Sequence, residues 1–206
     1  MNKITAYINQ SKLSVCAGII GPMLFVGVFT IEGWLRSGYY PLGMYVSALS
    51  LGTRGWIQIT NFIVFGFLLL LFALGVTAEF PNGKASKAGP LLMVIIAIGF
   101  LFSGPFVMDP MGTLRDQMSI HGTLHGILGG LVFSLMPVSC FVFLRRFRED
   151  QKWHLLQSCK LYSNTSLIGL GLFNGMRYRL INEAGHYGLL FHLLNMGQEI
   201  RLKNNA

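Results

Sequence analysis

Trp56–Ala78 reads WIQITNFIVFGFLLLLFALGVTA, twenty-three residues without a single charge. Within it, Phe62–Val76 is apolar on every side, so a helix formed here keeps no face for water. Such a helix lies either in the core of a large protein or in lipid. About 20 apolar residues cross a hydrocarbon layer of ~30 Å. The composition chooses lipid: charged residues make up 12% of the chain, against roughly 25% in soluble proteins. Hydrophobic residues are 52% and mean hydropathy is +0.55. The 25 glycines fit the same setting, because glycine lets membrane helices approach closely.

Working outward from that run, the chain divides into apolar stretches with polar gaps. Met1–Lys12 is a short polar lead, and Leu13–Ile31 carries no charge until Glu32, Trp34 and Arg36 close it at an interface. Gly21-Pro22 inside this run is expected to loosen its helix. The Pro-Asn-Gly turn within 79–87 leads to a third run, and Ser119 is placed to cap a fourth. The pattern predicts an all-α, polytopic transmembrane helix bundle in one domain, with spans at 13–34, 56–78, 88–107, 119–144, 158–176 and 184–200. The last is short. Ala184–Gln198 gives only fifteen uncharged residues and contains His186 and His192, so a tilted or interfacial placement is the alternative to a sixth span.

A net charge of +8 raises the question of nucleic acid, which needs basic residues gathered on one face of a soluble fold. Here Lys and Arg fall in the gaps between apolar runs. With the N-terminus inside, eleven lie on inner segments and five on outer ones, the asymmetry that encodes membrane topology. No nucleic-acid partner is expected; the bilayer is, together with a membrane-protein partner or a second copy. Cys16, Cys140 and Cys159 fit no zinc or redox spacing and read as small packing residues.

The chemistry-bearing residues concentrate in Gly104–Gly130, GPFVMDPMGTLRDQMSIHGTLHGILGG. His121 and His125 are four apart, which puts both on one helix face with Cβ atoms about 5–6 Å apart. With Asp109 as an oxygen ligand they form a candidate zinc site, and a zinc with an open position activates water. The plainer reading makes them helix-mouth histidines bonded to loop backbone and Asp109 an Asp-Pro turn residue. A haem held by His125 with His192 is a third reading. Glu32, Arg36, Arg115 and Asp116 are candidates for ion pairs rimming an external pocket, worth about 0–1 kcal/mol each if solvated. Tyr39, Tyr40 and Tyr45 read as an aromatic belt or a ligand wall. Gly122, Gly126 and Gly130 recur every four residues as a smooth strip for helix packing.

Two blocks resemble the bacterial membrane family catalogued as domain of unknown function 998. The first is GYYPLGMYVSALSLGTRGWIQITNFIVFGFLLLLFALGV, with Gly-Tyr near Pro41, Ser47 and Leu49, Gly55-Trp56, Phe62 and Gly66. The second runs into Asp109-Pro110, then His121-Gly122 and Leu124-His125. The resemblance implies a multi-pass, mostly six-helix protein of the cell membrane with no established activity. Ala48 departs from it, standing where an acidic residue often follows the serine, and the segment after Met176 matches poorly. Ser47 joins the pocket candidates on this basis.

Apart from Glu32 at its helix end, no charge falls near the middle of the first four runs, which disfavours ion-coupled transport. No phosphate loop or serine-nucleophile motif occurs. The expectation is a non-catalytic bundle with an outward polar cap that associates with lipid, senses, or holds a partner. No cofactor is expected. A zinc-dependent hydrolase of a lipid or other amphiphile, using Asp109, His121 and His125, is the alternative.

Overall fold

A computed structural model describes residues 3–149, and all regular structure in that range is helical. Four α-helices run α1 (Lys3–Leu35), α2 (Gly55–Glu79), α3 (Ala88–Ser103) and α4 (Ile120–Glu149). Three of them contain stretches long and apolar enough to cross a membrane: Lys12–Leu35, Gly55–Glu79 and Ile120–Arg148. The fourth, α3, is equally apolar but has only 16 residues. This is the fold of an integral membrane protein. The expected fifth and sixth spans lie outside the described residues.

Consecutive helices pack antiparallel, and glycine is what brings them close. Between α1 and α2, Gly18 faces Phe72 and Gly75 faces Ser14, with no room at either for a Cβ. Gly66 of α2 lies against the backbone of Ala97 and Leu101 in α3, and Gly99 of α3 receives Val132 of α4. Without a hydrophobic driving force between helices in lipid, such van der Waals fit is the main source of association. Between these contacts sits a phenylalanine core. Phe25 stacks on Phe65 at 4.6 Å, and Phe65 meets Phe100 edge-on at 4.7 Å. Offset and edge-on pairs each contribute about 0.5–1.5 kcal/mol beyond buried area. The outer faces carry exposed Ile19, Phe67, Leu91 and Phe141, as a lipid-facing surface should.

Three boundaries differ from the sequence reading. The N-terminal lead is helical from Lys3, so α1 extends nine residues before Lys12. α3 stops at Ser103 and not near Val107, because Pro105 has no N–H to give the Leu101 carbonyl and so cannot continue the helical hydrogen-bond ladder. α4 runs on to Glu149, five residues past the expected end, and carries Arg145, Arg146 and Arg148 with it. α1 and α4 each pass through an internal proline, Pro22 and Pro137, as continuous helices.

Candidate functional site

The antiparallel order gathers two connections at one end of the bundle, 36–54 between α1 and α2 and 104–119 between α3 and α4. We call this the cap end.

In the first connection Glu32 is 3% exposed, although the sequence suggested a solvated rim residue. Two arginines share its carboxylate. Arg36, one turn later on α1, donates through Nη2 at 2.7 Å and Nε at 3.1 Å to Oε1. Arg54, just before α2, donates through Nη2 to Oε2 at 2.6 Å and through Nε to Oε1 at 3.1 Å. That two-point fork is the geometry guanidinium offers a carboxylate. Arg36 also donates through Nη1 to the Leu51 carbonyl at 2.6 Å, fixing the 3₁₀ turn Val46–Ser50 over the start of α2. The turn can lie there because Gly55 has no side chain; a Cβ would overlap the Ser50 carbonyl. Arg36 is 17% exposed and Arg54 48%, so the cluster's surplus positive charge faces outward through Arg54.

Below that cluster lies a neutral polar layer. Gln58 is fully buried and Asn61 is 5% exposed. The Asn61 amide donates to the Phe25 carbonyl at 3.0 Å and to Gln58 Oε1 at 3.3 Å. Gln58 Nε2 and Ser50 Oγ are buried without a partner among the described residues. The pocket candidates Tyr39 and Tyr40 diverge. Tyr39 packs beside Gly33, and its burial pushes the phenol above its usual pKa, whereas Tyr40 is exposed. Ser47 is half-buried in the 3₁₀ turn.

In the second connection Ser119 caps α4 as expected, its Oγ accepting from the Gly122 N–H at 2.9 Å. Asp109 Oδ2 accepts from the Ser119 N–H at 2.8 Å. A capping box places a Glu or Gln at the third helical position to perform that second bond. Here the third position is Gly122, and Asp109 reaches over from ten residues back to fill its place; a Cβ on Gly122 would overlap the carboxylate. His125 is 9% exposed, with Nδ1 2.7 Å from the Phe106 carbonyl and its ring edge-on to Phe62. His121 is exposed and packs on Phe106. Asp109 and His125 are therefore both engaged with backbone. Among the described residues no three His, Cys, Asp or Glu are gathered to hold a metal. Arg115 and Asp116 stand exposed in a second 3₁₀ turn and make no ion pair among the described residues. His186 and His192 lie outside that range. Of the glycine strip, Gly122 is buried by Asp109, while nothing described lies within 4 Å of a Cβ at Gly126 or Gly130.

A family model described as "Protein of unknown function (DUF998)" matches residues 19–195. The chain belongs to that family. The match contains the second half of α1 and all of α2, α3 and α4, and with them both cap connections. No curated protein and no solved structure matches the chain.

Arg54, Gln58 and Asn61 were not singled out in the sequence. A signal for two of them was there: Gln58 and Asn61 are three apart in a run otherwise almost wholly apolar, hence on one helix face. Polar groups so placed in a membrane segment mark an inward-facing surface.

Proposed function

We propose that this member of the family is a non-catalytic, lipid-associated binding bundle of the cell membrane whose cap end recognises the anionic group of an amphiphile. The observation that carries this reading is the Glu32–Arg36–Arg54 cluster. Its carboxylate is buried and doubly paired, its net charge is positive, and only Arg54 presents that charge at the surface. A guanidinium held on one side by a buried carboxylate is preorganised to accept a second anion on the other. The Lys/Arg asymmetry supports an outward-facing cap with the N-terminus inside; reporter fusions at Gly43 and Gly112 should read outside, and at Asn82 inside.

The test is protection of Arg54. Phenylglyoxal should modify Arg54 in the purified protein, and dodecyl phosphate should slow that reaction several-fold while dodecyl maltoside does not. Equal rates with both would overturn the reading.

The hydrolase alternative retains one favourable observation. A histidine that gives its Nδ1 proton to a carbonyl, as His125 can to Phe106, keeps Nε2 as a lone pair suited to zinc. About one zinc per chain in protein purified without chelator, lost on His121→Ala or His125→Ala, would favour it over the binding reading.

A further inference from the structure

The other end of the bundle is built differently. Among the described residues the cap end holds Arg36, Arg54 and Arg115 against Glu32, Asp109 and Asp116, which balance. The opposite end holds six Lys and Arg against Glu79. One of the six is structural. Arg146 donates through Nη1 to the Asn82 carbonyl, and its guanidinium lies 4.9 Å over the Phe80 ring, clipping the end of α4 to the α2–α3 turn. Gly83 and Ala85, both at positive φ, shape the turn that meets it. This clip brings Lys84 and Lys87 of the turn to the same corner as Arg145 and Arg148 of α4, and all four are exposed.

A second regularity sets the chemistry of what these cations meet. On three helices an exposed base stands four residues from an exposed apolar side chain nearer the middle of the bundle: Lys12 above Cys16 on α1, Lys87 above Leu91 on α3, and Arg145 above Phe141 on α4. Residues four apart share a helix face. Leu91 and Phe141 are 59% and 61% exposed. A charged group above an apolar surface matches a molecule with a phosphate above a hydrocarbon chain. A free phosphate or a nucleic acid has no use for the apolar half.

We propose that this rim is a binding surface for anionic phospholipids, with Lys12, Lys87 and Arg145 holding the phosphates and the acyl chains lying along Leu91 and Phe141. This goes beyond the cap reading and uses none of its residues. Exposed cations near a membrane surface attract anionic lipid by about 1 kcal/mol each, an attraction that salt screens.

The experiment is a melting series on the purified full-length chain in neutral detergent, followed by its tryptophan fluorescence. Added dioleoyl phosphatidylglycerol should raise the Tm by several degrees more than dioleoyl phosphatidylcholine at ~0.1 M salt, and most of that difference should vanish at ~1 M, where the screening length falls from ~10 Å to ~3 Å. In the triple variant Lys12→Gln/Lys87→Gln/Arg145→Gln the difference should be lost, while Lys12→Arg/Lys87→Arg/Arg145→Lys, which keeps the charges, should retain it. Glycerophosphoglycerol, the head group without chains, should give no rise. Equal rises with the two lipids, a difference kept by the triple glutamine variant, or a full rise from the chainless head group would each overturn the proposal. Loss of the difference in Arg54→Gln with the rim intact would also overturn it and place the lipid at the cap.

Discussion

The two ends of this bundle use charge in opposite ways. At the cap end the buried ionisable groups and Asp109 face one another or the backbone, while Arg115, Asp116 and His121 stand exposed: Glu32 takes Arg36 and Arg54, Asp109 takes the N–H of the α4 cap, and His125 meets a carbonyl. At the basic end most of them face outward, and the one inward-turned base, Arg146, serves to hold the rest in place. Charge paired away from water fixes geometry, and charge exposed at the surface meets whatever lies outside. The difference teaches that net charge alone, +8 over the chain, says little about which end recognises and which end anchors.

Substitutions should separate the ends sharply. The largest effect is expected at Glu32. Glu32→Gln leaves two arginines without their shared carboxylate at the cap, and breaking such a buried pair costs about 3–5 kcal/mol, at the lower end here because Arg54 is half exposed. Lys12→Gln at the basic end, an exposed position, should change stability by no more than about 0.5 kcal/mol. Adding Arg54→Gln to Glu32→Gln should cost less than the two single changes summed, as expected for groups in one network. Similar losses at Glu32 and Lys12 in denaturation of the purified chain would erase the contrast between the ends.

Gly122→Ala comes next. The added Cβ must displace Asp109 from the α4 cap, an overpacking cost of about 1–3 kcal/mol. Gly126→Ala, one turn on, meets nothing described within 4 Å and should be near neutral. A comparable loss at Gly126 would show that the glycine strip is covered by chain beyond the described residues.

Ser50→Ala should act with the opposite sign. The Ser50 hydroxyl is 4% exposed and has no partner among the described residues, and a buried unsatisfied polar group costs about 1–3 kcal/mol. Removing it should leave the Tm unchanged or raise it. A fall would mean that the hydroxyl holds a polar guest.

Much of this was legible in the sequence, and the reasons are physical. Apolar runs longer than a bilayer is thick leave few alternatives, so the three long helices were readable from Leu13, Trp56 and Ser119 onward, and the shorter α3 was readable from Ala88 as an apolar run. The Ser119 cap was readable because its signal is local. Asp109 as the missing arm of a capping box was hidden, since the helix position that should carry the acid is Gly122 and the carboxylate comes from ten residues earlier. Glu32 looked like a rim charge because its second partner, Arg54, is twenty-two residues away across the first connection. Local patterns announce themselves in sequence; pairings across a connection do not.

The smallest expected effect is a pH dependence. Burial raises the Tyr39 pKa above the ordinary value near 10, so the folded chain holds that proton more tightly than the unfolded one. The contribution is complete below about pH 10 and is lost as pH rises through the raised value. Wild type should therefore lose Tm on alkaline titration slightly faster than Tyr39→Phe. Superimposable curves would mean the phenol is solvated.

The buried network at the cap end, on which the contrast between the ends rests, is tested most directly by labelling carboxylates in the folded protein with a water-soluble carbodiimide and an amine, then reading each site by peptide mass spectrometry. Asp116, exposed and free of ion pairs among the described residues, should react readily, while Glu32, buried at 3% exposure beneath two arginines, should stay unmodified until the chain is denatured. If Glu32 reacts as fast as Asp116 in the native protein, the cap end is a solvated rim and the paired network described for it does not exist.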